Sequence, residues 1–270
     1  MKRFEGLLFC TDLDGTLYTD SKTVSKENLD AIDYFKSEGG LFTFITGRPP
    51  ISSRDVCATV RPNAPYGCFN GGGIYDPQKE ELIWSEILSA EAIELVQEVD
   101  RRLPEMGIQF NTGKGVYFCK DNTAMEYFRK VTGLPNLIGD WNDPPEPMMK
   151  FVFVHEKEEQ ILALAELLNS YPKADKFDFI RSEKHLYEIL PKGVSKGNVL
   201  YKMADLFGIK RENTIAVGDY NNDVSMIRAA GIGFAVANAV DIAKAAADYV
   251  TVSNNEHAVA AIVDFLDCRM

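Results

Sequence analysis

Leu7-Leu8-Phe9-Cys10-Thr11-Asp12-Leu13-Asp14-Gly15-Thr16-Leu17 is the stretch whose reading decides the fold. Its apolar opening, residues 7–10, predicts a short buried strand. Two aspartates one residue apart, a glycine and a threonine then predict a turn. In an open α/β sheet, ligands bind in the crevice beyond the carboxyl ends of the strands. Two acids and a hydroxyl at that point can hold a metal and a nucleophile together. Taken alone, the same residues also describe an acidic surface turn, so the rest of the chain has to choose.

Working outward, the chain takes up a strand–helix rhythm. Ser25 caps an expected helix that reaches Ser37, and Gly39-Gly40 ends it. Residues 41–45 form a second apolar strand, which also ends in a polar cluster, Thr46-Gly47-Arg48. Pro49 and Pro50 suit the first turn of a helix to about Thr59. Alternation at this spacing predicts βαβ units and a parallel sheet. Asn70-Gly71, set between apolar residues, marks a hairpin. Gly71-Gly72-Gly73 is no dinucleotide fingerprint, since it does not lead from a buried strand into a helix.

From Trp84 to Glu188 the pattern changes. Ala92, Leu95, Val96, Val99 and Leu103 mark one buried helix face, and a second amphipathic helix spans 160–168. A further helix over 123–131 and strands before, between and after complete an α+β region with antiparallel pairs and its helices on one face. Parallel rhythm returns with a helix opened by Ser195, a strand over 214–217 ending in Gly218-Asp219, a helix over 223–230, strands over 232–236 and 249–252, and a last helix through Val259, Ile262, Val263 and Leu266. The fold class is therefore α/β, a Rossmann-like parallel-sheet core over 1–83 and 189–270 with an α+β insertion over 84–188.

Composition narrows the function. The 270 residues carry a net charge of −11 and no lysine or arginine cluster, which argues against a nucleic-acid partner. No apolar run approaches the roughly 18–20 residues of a membrane helix, and the run behind Met1-Lys2-Arg3 is too short for a signal peptide. Five scattered cysteines without a C-x-x-C pair suggest a reducing compartment, with neither disulfides nor a zinc site. A cytoplasmic monomer or homodimer with no membrane partner is the expectation.

Four clusters sit where α/β sheets place their sites: Asp12/Asp14/Thr16, Thr46/Arg48, Lys196, and Asp219/Asn222/Asp223. Brought together, four carboxylates raise one another's pKa and need a cation. All-oxygen ligands suit Mg²⁺. The metal and Lys196 would balance a phosphate, which makes the set sufficient for phosphoryl transfer. Calcium loops are excluded, because Leu17 and Val224 stand where the loop needs glycine. Lys196 lies in Gly193-Val194-Ser195-Lys196-Gly197, which fails the P-loop pattern.

In combination, Asp12-Leu13-Asp14-Gly15-Thr16, Thr46-Gly47-Arg48, Lys196 and Gly218-Asp219-Tyr220-Asn221-Asn222-Asp223 resemble, in this order, the motifs of the haloacid dehalogenase-like superfamily. The whole chain is similar to its Cof-like sugar phosphatases, in which an α+β cap is inserted between the second and third motifs. Asn70-Gly71 looks like the loop that precedes that cap, with Gly72 in place of an alanine. The resemblance implies a phosphatase acting on a small phosphorylated metabolite, a sugar phosphate above all. It implies Asp12 as nucleophile, Asp14 as acid and base, and Thr46 and Lys196 as holders of the phosphoryl group. It further implies Mg²⁺ bound by Asp12, the Asp14 backbone carbonyl and Asp219, with Asn222 and Asp223 completing or orienting the shell. Gly47 and Arg48 would touch substrate, and the cap would set specificity.

Two other readings stay open at this point. A phosphomutase would keep the fold and pass the phosphoryl group to a second sugar position; steady phosphate release without a bisphosphate activator separates it. A phospho-acceptor switch would also combine aspartates, a hydroxyl and a lysine, but has no need of Asp14 or of an insertion this long.

Overall fold

The computed structural model describes residues 2–132, 134–135 and 137–269. Met1 and Met270, the ends of the expected core segments, lie outside the described residues. Two compact units divide the chain: Met1–Gly47, Arg54–Ile83 and Ser195–Met270 form one, Arg48–Ser53 and Trp84–Val194 the other.

The first unit is built on a parallel sheet. Its strands run, edge to edge, Tyr249–Val250, Ile232–Ala235, Thr214–Gly218, Leu8–Thr11 and Leu41–Phe44. Leu8–Thr11 is an interior strand, buried at every position, as a strand covered on both faces must be. Thr11 pairs with Val217 on one side and Phe44 on the other. The carboxyl ends of three strands are thus level, and Asp12, Thr46 and Asp219 leave the sheet along one edge.

Helices follow the expected signals. Ser25 Oγ accepts from Asn28 N at 3.3 Å and opens Lys26–Ser37. That helix delivers Phe35 to Phe9, whose ring also meets Phe42 at a centroid distance of 5.3 Å. All three rings are fully buried, each contributing about 1.5–3 kcal/mol of apolar transfer. Ala258–Asp267 packs on the same helix through its apolar face.

A small sheet in the order Tyr66–Cys68, Gly73–Asp76, Glu81–Ser85 contains the expected hairpin. Asn70 lies in its turn at φ +56°, a conformation asparagine tolerates better than most residues. The strand Glu81–Ser85, the helix Asp241–Ala246 and the strand Leu137–Ile138 had no sequence signal, being too short to show a period. The helix expected after Pro49 begins as a 3₁₀ turn, Pro50–Ser53, before Arg54–Val60.

The second unit carries a six-stranded sheet in the order Phe177–Glu183, Leu186–Pro191, Met148–Val154, Gly107–Thr112, Val116–Lys120, Leu137–Ile138, antiparallel except for the last pair. Glu91–Arg102 and Glu158–Asn169 cover one face, against Ile108, Phe110, Phe151, Phe153 and Ile189. Thr123–Thr132 does not join them. Its Met125 packs on the opposite face with Val116, Phe118, Val152 and Val154, which corrects the expectation of helices on one face. Met148–Val154 is buried at all seven positions, so both faces of that strand need cover. Among the described residues no helix is long and apolar enough to cross a membrane.

Candidate active site

The turn after Leu8–Thr11 separates its two acids. Asp12 is 5% exposed, and its backbone N–H donates to Val217 O at 2.9 Å. Asp14 points elsewhere: Lys22 Nζ donates to its Oδ1 at 2.9 Å, and about a third of its side chain is accessible, 32%. Gly15 then takes φ +77°, where a Cβ would stand 2.5 Å from Asp219 Oδ2, so both conformation and space require glycine. Asn238 Nδ2 holds the Gly15 carbonyl at 2.8 Å, and Thr16 Oγ1 donates to Asp219 Oδ1 at 3.1 Å.

Lys196 is the hub. Ser195 caps its helix, with Oγ accepting from Asn198 N at 3.1 Å, which places the lysine in the first turn, completely buried. Its ammonium donates to Asp12 Oδ1 and to Asp223 Oδ1, both at 2.5 Å. Asp223 Oδ2 accepts from the backbone N–H groups of Asp219 and Tyr220, at 2.9 and 3.0 Å. Both oxygens of Asp223 are therefore engaged within the protein.

One ammonium does not balance three acids. Asp12, Asp219 and Asp223 each offer an oxygen within 4.8 Å of the others. Burial first, and the charge of Asp223 second, push the Asp12 carboxyl well above the usual carboxylate range despite Lys196. The same two causes, in that order, push Asp219 up to about 7. Burial works against the charged form of Lys196, but Asp12 and Asp223 override it and hold the ammonium above its ordinary range. This is a cluster short of positive charge, and its hard oxygen donors fit a metal ion. Asp12 and Asp219 each keep Oδ2 for such an ion, whereas Asp223 is already spent on Lys196 and two amides.

Thr46 is buried at the end of its strand, its N–H on Gly67 O at 3.0 Å and its carbonyl on Asn70 N at 3.0 Å. Gly47 lies against Asn70, where a Cβ would come within 2.9 Å of Oδ1. Asn222 Nδ2 donates to that same Oδ1 at 3.0 Å. Arg48 groups with the second unit, its Nη1 on Ser52 O at 3.4 Å. The fold thus gathers Asp12, Thr16, Lys196, Asp219 and Asp223 directly, and ties Thr46, Gly47 and Asn222 through Asn70. Asn70 carried a turn signal that covered this second task. Asn238 carried none, because its partner Gly15 is 223 positions away.

Known proteins resemble this chain over nearly its whole length. A family model described as haloacid dehalogenase-like hydrolase matches residues 9–263. A 5-amino-6-(5-phospho-D-ribitylamino)uracil phosphatase of Bacillus subtilis, YitU, is 30% identical over 94% of this chain and 94% of its own length. A putative phosphatase of the same organism, YxeH, is 29% identical over 94% of this chain and 95% of its own. Among solved structures, a haloacid dehalogenase-like hydrolase from Bacteroides thetaiotaomicron is 26% identical with a TM-score of 0.83, covering 96% of this chain and 99% of that one.

Proposed function

This chain belongs to the haloacid dehalogenase-like hydrolases and is a phosphoric monoester hydrolase, and from that premise we propose a Mg²⁺-dependent phosphatase that acts on a small sugar phosphate through an aspartyl-phosphate. The observation that carries the reading is Lys196, buried and held at 2.5 Å from both Asp12 and Asp223 beside a third carboxylate. Such an arrangement aims Asp12 and works against the burial and the Asp223 charge that disfavour its ionised form, and a bound metal ion would add the remaining positive charge a carboxylate nucleophile requires.

In this reading an Asp12 carboxylate oxygen attacks phosphorus as the ester P–O bond breaks. Asp14 gives its proton to the departing alkoxide, then takes one from the water that hydrolyses the aspartyl-phosphate. Its accessible position, away from the buried trio, suits a group that must exchange protons. Thr46 and Lys196 hold the phosphoryl oxygens. Asp12, the Asp14 carbonyl and Asp219 would hold the metal, with Asp223 and Asn222 orienting that set. The ion would supply positive charge to the transferring phosphoryl group. Gly47 and Arg48 would meet the substrate, and the insertion over 84–188 would select it. The B. subtilis relative, named for a phosphorylated ribityl compound, supports a sugar-phosphate-like ester as the substrate class.

Two measurements test this. Asp14→Asn is expected to slow hydrolysis of an alkyl phosphate about 10²–10⁴-fold, the usual worth of general acid–base catalysis. An aryl phosphate, whose leaving group needs little protonation, should suffer less, and equal slowing on both would remove Asp14 from the acid role. EDTA is expected to stop phosphate release and Mg²⁺ to restore it. Activity indifferent to chelation would refute the metal.

A further inference from the structure

The turn that carries Asp14 is tied to a distant part of the chain. Asp14 at φ −78°, ψ 121° and Gly15 at φ +77°, ψ 0° have the dihedral pair of a type II turn. Such a turn favours glycine at its second central position, and glycine is also the residue least able to hold a conformation by itself. Thr16 bonds Asp219 one residue past that glycine. At Gly15 itself the hold comes from Asn238, whose Nδ2 donates to the Gly15 carbonyl at 2.8 Å. Asn238 Oδ1 accepts from Asn254 N at 2.9 Å. A carbonyl on one side and an N–H on the other leave the amide a single orientation.

Backbone bonds set Asn238 in turn. It lies just past the strand Ile232–Ala235, where Ala237 N donates to Val252 O at 3.2 Å and Val240 N to Asp219 O at 2.9 Å. One short segment thus grips both site turns, Gly15 through a side chain and Asp219 through the main chain. Asn254 is 2% exposed and closes the frame, its Nδ2 donating to Tyr18 O and to Asp20 Oδ1, both at 3.0 Å. By contrast, the Asp14 carboxylate is paired with a Lys22 side chain that is 63% accessible, and an exposed pair of this kind holds geometry weakly.

We infer that Asn238 is a positioning residue: by fixing the Gly15 carbonyl it keeps the Asp14–Gly15 turn in register with Asp219, and so sets where the Asp14 carboxyl meets the leaving group. The inference rests on the phosphatase reading, in particular on Asp14 as the acid, and deepens it. Misplacing a reacting group by about 1 Å can cost about 10²-fold in rate.

The experiment compares kcat and KM for phenyl phosphate and p-nitrophenyl phosphate, which are close in shape. Phenolate is the more basic leaving group and needs the proton more. Asn238→Asp keeps an acceptor for Asn254 N and loses the donor to Gly15. It is expected to lower kcat for phenyl phosphate about 10–100-fold and for p-nitrophenyl phosphate clearly less, with KM little changed. Asn238→Leu, which loses both bonds and adds no charge, should lower the ratio of the two rates in the same way. In an Asp14→Asn background neither change should add a further loss, since both would act through the group already removed. Asn255→Ala cuts only bonds to Asp20, at 3.0 and 2.9 Å, and should leave the ratio unchanged. Equal slowing of both esters, a lower thermal midpoint with the ratio unchanged, additive loss in the Asp14→Asn background, or the same fall in Asn255→Ala would give Asn238 a merely structural role and overturn the inference. Wild-type enzyme that releases phosphate from neither ester, or an Asp14→Asn change that leaves the ratio untouched, would instead count against the phosphatase reading or its acid, and this inference would fall with it.

Discussion

Asp12→Asn is expected to lower phosphate release by about 10⁴-fold or more while the protein stays folded. The change keeps the shape of the side chain and removes only its charge. Lys196 remains paired with Asp223. Asp12 is held above its usual carboxylate range by burial and by Asp223, so its ionised form is a cost to the metal-free fold at neutral pH. The sign follows from linkage. Between the unfolded pKa near 3.9 and the raised folded value, the native state holds more protons, and stability falls as pH rises. Removing that carboxylate should leave the metal-free variant at least as stable as the wild type at pH 8, while the stabilisation that Mg²⁺ gives the wild type shrinks. Phosphate release, thermal unfolding in EDTA and unfolding with Mg²⁺ measure the three effects. Turnover near the wild-type rate would end the nucleophile assignment.

Lys196→Met should damage both folding and catalysis, and in a pH-dependent way. Breaking a buried ion pair by removing one partner costs about 3–5 kcal/mol, because the other charge stays buried. Here the ammonium serves two carboxylates at 2.5 Å each, with Asp219 nearby and already pushed up to about 7. Without Lys196, Asp12 and Asp219 rise further above their unfolded values. The variant therefore takes up protons on folding, and its deficit should be largest at pH 8 and shrink toward pH 5 as the acids neutralise. Urea unfolding in EDTA at both pH values reads this out. A deficit that does not vary with pH would mean that Lys196 acts by packing. Activity should fall about 10³-fold or more, as expected where one group both orients the nucleophile and holds charge in the transition state.

Much of this protein was legible before its structure. An apolar run followed by Asp12-Leu13-Asp14-Gly15-Thr16, three further polar clusters behind strands or at a helix start, and an interruption of the parallel rhythm gave the α/β core and its insertion. These features are local, and periodicity or a turn residue announces each one. What had no local signal was short or distant. Glu81–Ser85 and Asp241–Ala246 are too brief to show a period. The helix over 123–131 packs on the face opposite the other two, and nothing in its residues says which side of the sheet is still bare.

The motif around Asp12 shows the division most clearly. Sequence alone determined that two acids, a glycine and a hydroxyl follow a buried strand, and so which groups were available. It could not say that Gly15 must leave room for Asp219, that Asp14 turns out to Lys22 while Asp12 turns in to Lys196, or that Asp223 is used up by Lys196 and two backbone amides. Nor could it show that Gln109 Oε1 and both amide atoms of Asn111 are buried without a partner among the described residues. Chemistry belongs to residue types, which a sequence states outright. Charge balance, burial and hydrogen-bond completeness depend on neighbours that are far apart in the chain, and only the folded chain brings them together.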